Sequence, residues 1–576
     1  MNKLETGEQG PKSQRLWLGL VISLIGLLIV LAIRWMLAHP FAVDADEAWY
    51  VNEAQIDLQV LHADGPLRLA RWIIHGDSSR PPGYRLVALP FLAAFGYHIL
   101  LARLVSLACF AISSWVIYLT TKRVAGPIAG GIAALVFALS PDILSASISF
   151  STEGPLYLAV AVTLYCLSEY WGGEGPAHRF SWILLGLAMG LGSLSKTTFG
   201  FIAIPAFVFS VFAARRNRSA VWSLGKAGAL GLLVAIPWWR RNVLPALAYA
   251  KYASRGFPRH SLGPHSSLLT WGRWLVAVFG GLLGPAIAIL IALIAIVYLR
   301  GTAAQKELLL QPVQRATLFA CMCAGLPLLA VYLSGTNSQL THISPTLIPL
   351  AIGVGVLSQA TGWVRSPKAM AVSGVLVAAQ FLMLAFPVLF PNEHTVDPGA
   401  INPFPWGIMI RSEQWDWEPL REITDSRGFN GQVVPAAGNG QAFHGQLHYG
   451  WRSPMGRPRI AYMGNGNAFN GSQIQYPWIA KGIAPPDLTC LWHYEDDPID
   501  WQKVLISVAQ SDVVITAPNY IGQASDRQDV DNQHNSEFAQ RLSQDPLFEQ
   551  PIRLEMGQLD PVEVLVFIKK STPQQK

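Results

Sequence analysis

The run LWLGLVISLIGLLIVLAI, Leu16 to Ile33, followed shortly by the acidic run DADEAWY, Asp44 to Tyr50, decides how the rest of the chain is read. A helix rises about 1.5 Å per residue and a bilayer core is about 30 Å thick, so the first run, extended to Ala38, is long enough to span. Lys3, Lys12 and Arg15 precede it. The apolar run exceeds a signal-peptide core and no small-x-small cleavage site precedes the acidic loop, which predicts an uncleaved signal anchor with its N-terminus in the cytoplasm. The acidic run then places Asp44, Asp46 and Glu47 at a membrane surface, where proton transfer in water can meet a lipid-borne substrate.

The composition agrees with a chain that crosses the bilayer many times. Of 576 residues, 51% are hydrophobic and 14% charged, against about 25% charged in an average soluble domain. The 20 Trp and 16 Tyr suit aromatic belts at the headgroup layer. The net charge of +6 is scattered between apolar runs and forms no basic stripe, so no nucleic-acid partner is expected. Cys109, Cys166, Cys321 and Cys323 lie in apolar runs and Cys490 stands alone, which reads as packing and gives neither a disulfide framework nor zinc spacing.

A hydropathy window predicts about eleven spans: Leu16–Ala38, Ile99–Thr121, Val124–Leu139, Pro155–Tyr170, Trp182–Leu194, Phe199–Ala214, Leu224–Trp239, Trp274–Leu299, Ala316–Ser334, Ile343–Val364 and Ala369–Phe390. Residues 1–390 thus form a membrane domain, and an odd count from an inside N-terminus leaves residues 391–576 outside. Basic residues at Lys122, Arg123, Arg215, Arg216, Arg218, Arg300 and Arg365 fall on the inner side, but Arg80, Lys196, Arg240 and Arg241 fall outside. The positive-inside rule leaves those outer cations to another purpose, and an anionic ligand is the obvious one.

The first outer loop, 41–98, is long and partly amphipathic over Ala54–Trp72, which predicts helices lying in the interface. Pro81-Pro82 breaks any helix there, and Gly83 to Phe95 resumes an apolar one. Two short apolar spans meet at Ser195-Lys196-Thr197-Thr198. A lysine at a broken hairpin inside apolar sequence is costly unless it faces water or a partner. Beyond Pro391 the long apolar runs stop. Short β-like runs at Gly431–Ala436, Asp512–Thr516 and Val562–Ile568 alternate with helical stretches such as Ser536–Leu542, predicting a small α/β or α+β soluble domain. The segments Gly438–Gly440 and Gly464–Asn467 read as turns and miss the dinucleotide pattern.

Two acidic positions stand out. Asp44 followed by Glu47 is a capping-box spacing, so these carboxylates can simply start a helix. A helix beginning near Asp46, however, puts Asp46, Tyr50 and Glu53 on one face. The second position runs from Ser140-Pro141-Asp142 to Glu153-Gly154-Pro155, where Glu153 is either a first-turn acid favoured by the helix dipole or a carboxylate facing the first across a cavity. Arg80, Lys196 and the Arg240-Arg241 pair are residue types that neutralise phosphate, although an isolated arginine at a helix end commonly snorkels.

The Asp46-Glu47 pair with Tyr50, then Arg80-Pro81-Pro82-Gly83-Tyr84, Gly96 with Arg103-Leu104, Glu153-Gly154-Pro155-Leu156, the glycine-rich Gly186 to Lys196 and Pro237-Trp238-Trp239-Arg240-Arg241-Asn242 resemble the GT-C glycosyltransferases that use polyprenyl-phosphate sugars. The nearest branch looks like the bacterial relatives of protein O-mannosyltransferases and of the lipid A aminoarabinose transferase, over about Arg15 to Val364. That resemblance implies a GT-C-like helical membrane domain in a bacterial inner membrane, with the C-terminal domain periplasmic or extracellular. It implies that Asp46 is the first-loop acid near the acceptor hydroxyl with Glu47 beside it, and that Glu153 is the second acid. Arg80 and Lys196 match the family's basic positions toward the donor phosphate, joined by Arg240 and Arg241. His342 stands where the family carries a late Arg-Tyr. Tyr50 and Tyr84 would line the acceptor side of the cavity.

The expected reaction is an inverting transfer from a polyprenyl-phosphate-linked sugar to a hydroxyl of a lipid, glycan or protein. Asp46 would act as general base, and cations would stabilise the leaving phosphate. No cofactor is required; paired acids could hold a divalent metal, which is not expected. The competing class is a transporter or flippase of an anionic lipid, which would more usually show broken helices paired in two similar halves, whereas one broken pair is visible.

Overall fold

In a computed structural model, the described residues are 11–42, 45–172, 180–255, 268–300, 310–334, 342–389, 415–427, 458–464, 469–483, 485–492, 498–520, 532–557 and 561–570. Asp44, the run Gly431–Ala436, the turn Gly438–Gly440 and the glycine- and asparagine-rich stretch beyond Gly464 lie outside them.

The first two-thirds of the chain are helical. The helices are α1 (Pro11–Ala38), α2 (Ala45–His75), α3 (Gly83–Phe95), α4 (Ile99–Ala125), α5 (Pro127–Ala138), α6 (Pro141–Ile148), α7 (Glu153–Leu167), α8 (Ser181–Ser195), α9 (Phe199–Ala213), α10 (Arg218–Arg255), α11 (Leu268–Val276), α12 (Pro285–Arg300), α13 (Pro312–Ser334), α14 (Leu347–Ala360) and α15 (Pro367–Leu389). Each of the eleven apolar segments expected from the sequence falls on one of these helices or on a bent pair. Length and composition, however, support fewer full spans than eleven. Among the described residues five helices can cross a bilayer, or seven if each bent pair counts once, and Gly83–Phe95, Glu153–Leu167, Ser181–Ser195, Phe199–Ala213 and Ser344–Ala360 are shorter. The segment expected over Val124–Leu139 falls on the end of α4 and on α5, and a 64° bend after it leads into α6. The bend is written locally, because Ser140 leaves the helix and accepts the Ile143 amide while Pro141 opens the next one.

One apolar core joins α1, α4, α5 and α7 to α14 and α15 through side chains such as Leu28, Phe110, Phe137, Leu156 and Ile348. The outward faces keep Val30, Phe212, Leu232 and Leu233 exposed, a pattern that suits contact with lipid tails. Between α1 and α4, α2 is a bent helix: Gly65 takes φ 80° ahead of Pro66, which divides it into two arms. Its start at Ala45 and the resumption of helix at Gly83 match the boundaries read from the sequence.

The C-terminal unit holds α16 (Glu418–Ser426), β1 (Arg459–Met463), α17 (Gly471–Ala480), β2 (Asp487–Cys490), α18 (Trp501–Gln510), β3 (Val513–Thr516), α19 (Asn535–Gln544), β4 (Ile552–Met556) and β5 (Val562–Ile568). Its sheet has the order β2-β1-β3-β5-β4. The pairs β1–β2 and β1–β3 are parallel, with Ile460 opposite Val513, and the β5 pairs are antiparallel. Strand side chains alternate between two faces, and both faces are covered. Ile460, Ile515 and Val566 pack with Trp417, Phe469 and Trp478 on one side, and Ala461, Val514 and Phe567 pack with Val504 and Phe538 on the other. The unit is therefore a mixed α/β layer, with helix α17 lying against α2.

Candidate active site

Asp46 is the second residue of helix α2, and one turn, two turns and three turns later the same face carries Tyr50, Glu53 and Asp57. Residues 77–85 lie across from that face. Asp77 ends the approach by accepting the Ser79 amide (2.8 Å), the Ser79 hydroxyl (2.7 Å) and the Arg80 amide (3.1 Å), a local turn that aims the next side chain. Arg80 then donates from Nη2 to Asp46 Oδ1 at 3.1 Å, and from Nε and Nη2 to the Tyr249 hydroxyl at 3.2 and 3.0 Å. Its guanidinium carbon lies 4.9 Å from the Trp49 ring centre, 5.5 Å from that of Tyr50 and 5.3 Å from that of Tyr249, a cage that favours a delocalised cation. The Arg80 side chain is 15% exposed and that of Asp46 64%. The cation is therefore sheltered and the carboxylate reachable.

Glu47, one residue on, has a different role. Its carboxylate accepts from Arg103 Nε (2.8 Å) and Nη2 (2.7 Å) and from the Phe150 amide (2.8 Å). Arg103 also donates to the carbonyls of His39 (2.5 Å) and Phe41 (2.8 Å). The Arg103 and Glu47 side chains are 0% and 1% exposed. Both oxygens of Glu47 are spent inside the protein, where they tie the first turn of α2 to α4 and to the turn before α7.

Further along the face, Arg85 ion-pairs with Glu53 (2.7 Å) and with Asp57 on its other side, all three buried. Two carboxylates share one guanidinium, and burial pushes the Glu53 carboxyl up to about 7 against the pull of Arg85. Tyr84 stacks edge-on between Tyr50 (4.6 Å between ring centres) and Phe150 (5.7 Å). Tyr50 and Tyr84 are both buried in one apolar cluster with Trp49, so they form a wall under Asp46 more than an open lining.

The second acid sits at the first residue of α7. Glu153 Oε1 accepts from Lys196 Nζ at 2.5 Å and its Oε2 accepts from Thr152 Oγ1 at 3.1 Å. Lys196 directly follows α8 in an extended conformation, at the break before α9. The two cation–acid pairs are brought close by Gly83: a Cβ there would lie 2.5 Å from Ser195 Oγ and 2.7 Å from the Leu194 carbonyl. The start of α3, three residues after Arg80, thus touches the end of α8, one residue before Lys196. Tyr50 lies within electrostatic reach of Arg80, Asp46 and Glu153 alike.

The remaining candidates are placed less centrally. In Pro237–Asn242 it is the neighbours of the arginines that make the contacts. Trp238 Nε1 donates to the Asp77 carbonyl (3.3 Å), Trp239 Nε1 to the Ser193 carbonyl (3.0 Å) and Asn242 Nδ2 to the Ile74 carbonyl (2.9 Å). Arg240 and Arg241 are exposed, and among the described residues neither ion-pairs with a carboxylate. His342 stands half-buried just before the turn Ser344–Thr346, whose Ser344 hydroxyl pairs with Tyr157 Oη at 2.7 Å. Sequence reasoning missed Tyr249, Asp77, Arg85 and the partner role of Arg103, and quoted Asp142 without assigning it. Asp142 lies half-buried in the first turn of α6, within electrostatic reach of Glu153 and Lys196. Among the described residues no three His, Cys, Asp or Glu side chains come together as a metal site.

Residues 79–240 match the family model of dolichyl-phosphate-mannose-protein mannosyltransferases, a stretch that contains Arg80, Glu153, Lys196 and Arg240. No curated protein sequence matches the chain. Among solved structures, ArnT from Cupriavidus metallidurans in the apo state superposes with a TM-score of 0.50 at 14% identity, covering 95% of this chain and 98% of that one. The same enzyme bound to undecaprenyl phosphate gives 0.49 at 14% identity, covering 96% and 98%. The Archaeoglobus fulgidus oligosaccharyltransferase, in complex with Zn and sulfate, gives 0.50 at 12% identity, covering 92% of this chain and 72% of that one. Residues 79–240 thus match the mannosyltransferase family model, and the chain as a whole shares the fold of the apo ArnT and oligosaccharyltransferase structures.

Proposed function

We propose that the chain moves a sugar from a polyprenyl-phosphate donor to a hydroxyl acceptor, with inversion, at the outer face of a bacterial inner membrane. The observation that carries this reading is the pairing of a reachable carboxylate, Asp46, with a sheltered cation, Arg80, beside a second pair, Glu153 with Lys196. The matched family is described by a polyprenyl-phosphate sugar donor, dolichyl-phosphate-mannose, which supports the same donor class here. In the proposed step Asp46 takes the proton of the acceptor hydroxyl. The freed oxygen attacks the anomeric carbon, and the bond from that carbon to the phosphate oxygen breaks with its electrons going to the phosphate. Arg80 and Lys196 receive that growing charge, a stabilisation realised in the transition state. Glu153 holds Lys196 in place until the phosphate arrives. Arg240 and Arg241, exposed on α10, add attraction for the anion, and His342, half-buried before Ser344, is the further candidate contact. The N-terminus is cytoplasmic in this reading and the C-terminal α/β unit lies outside.

The test compares cells carrying the wild-type chain with cells carrying inserted Asp46→Asn or Arg80→Ala. Mass spectrometry of lipids, glycans and proteins should find an added sugar mass with the wild type and lose it with both variants. Unchanged modification in correctly inserted variants would overturn the proposal.

A further inference from the structure

We propose that Gln473, on helix α17 of the C-terminal unit, is a positioning residue that holds the start of α2 and with it Asp46; this rests on the reading of Asp46 as the general base. Asn470 caps α17 by accepting the Gln473 amide at 3.0 Å, which leaves the Gln473 side chain to reach across the interface. Its Nε2 donates to the carbonyl of Ala42 at 2.9 Å. One residue earlier, the Ser472 carbonyl accepts from Asn52 Nδ2 at 3.0 Å. Ala42 and Asn52 stand on either side of Asp46 in sequence, so two hydrogen bonds from one helix of the outer unit bracket it. All four groups are buried, so water cannot readily replace either bond, and a carbonyl left alone there is costly. The membrane side of the same segment is fixed independently by Arg103, through Glu47 and the carbonyls of His39 and Phe41. Removing Gln473 therefore leaves α2 docked but frees the Asp46 end of it. The apolar part of the interface is separate: Ile479 packs with Ile56, Val60, Leu69 and Ile73, farther along α2.

The test uses the full chain. Gln473→Ala, and Gln473→Glu as a variant of the same size that offers no N–H donor when ionised, should speed amide hydrogen exchange at 42–52 about tenfold, as expected for loss of about one hydrogen bond. Exchange in 99–125 should not change. Binding of undecaprenyl phosphate as probe should stay within about twofold, because Arg80 and Lys196 are untouched, while the Asp46-dependent sugar modification falls about tenfold. This split between binding and turnover is what general destabilisation would not produce. Ile479→Ala is the control: it should loosen 56–73 and spare 42–46. Unchanged exchange at 42–52 overturns the proposal whatever the chemistry, and so does faster exchange there with wild-type modification. If Asp46→Asn keeps full modification, the general-base reading fails by itself and the exchange result alone judges the anchor.

Discussion

Asp46 and Glu47 are adjacent carboxylates in one helical turn, each beside an arginine, and they live in opposite environments. A step of about 100° around the helix turns Glu47 into the protein, where Arg103 and the Phe150 amide use both its oxygens. The same step leaves Asp46 at the rim with Oδ1 against Arg80 and a side chain 64% exposed. A fully satisfied buried pair is rigid and cannot move a proton without breaking its contacts. An open pair costs little to part, and its cation can pass to an incoming anion. Burial, not residue type, separates the anchoring pair from the one an incoming group can reach.

The largest effects test this division directly. Asp46→Asn should lower sugar transfer by about 10²–10⁴-fold, the usual contribution of a positioned base. It should barely move the thermal unfolding midpoint, since an exposed pair contributes about 0–1 kcal/mol. Glu47→Ala should do the reverse at the level of cause. Stranding Arg103 in the interior costs about 3–5 kcal/mol, read as a large drop in midpoint and in folded yield, with activity per folded protein falling by less than for Asp46→Asn. Equal midpoints for the two variants would collapse the comparison.

A smaller effect lies one turn deeper, where Arg85 is shared by Glu53 and Asp57. Glu53 titrates at about 7 in the fold and at 4.5 in the unfolded reference. A raised carboxyl stabilises the fold fully below the unfolded value, and that contribution is lost as pH climbs through the folded one. Between pH 4.5 and 7 the wild type should therefore lose up to about 3 kcal/mol relative to Glu53→Gln. Thermal unfolding of both proteins in detergent across that range checks it; a constant difference would mean that Glu53 stays ionised throughout.

The parts of this site that follow helix period were legible in the sequence. The common face of Asp46, Tyr50 and Glu53 comes from spacing alone, as do the start of α2 and the boundaries of α3. The separation of Glu47 from Asp46 was hidden, because it depends on Arg103, 56 positions away, and on a backbone amide 103 positions away. Tyr249, 169 positions from Arg80, sits in a helix continuing past the expected span Leu224–Trp239, so nothing local marked it. Arg85 stood inside an apolar run and read as a helix residue, and only the approach of Asp57 and Glu53 gives it a partner. In the C-terminal unit, β3 and β5 were visible as short branched runs. The mixed order of the sheet was not, since strand order is set by long-range pairing.

The smallest effect concerns Pro237–Asn242, where the sequence points to the arginines and the contacts point to their neighbours. Arg240 and Arg241 are exposed, so replacing both with alanine should change stability by no more than about 0.5 kcal/mol. Asn242→Ala should cost about 1 kcal/mol or more, because it leaves the Ile74 carbonyl without its donor. With undecaprenyl phosphate as the probe, the two cation sets should differ in kind. Charges at the rim act through solvent, and a Debye length of about 10 Å at 0.1 M salt screens them. Losing both arginines should therefore weaken binding about two- to threefold at low salt and hardly at all at about 0.5 M. Arg80, sheltered by three aromatic rings, is screened far less, and Arg80→Ala should cost tenfold or more at either salt concentration, in the range of a lost charge-assisted contact. A salt-independent loss from the Arg240 and Arg241 double variant would instead put them in direct contact with the phosphate and make them equal partners of Arg80.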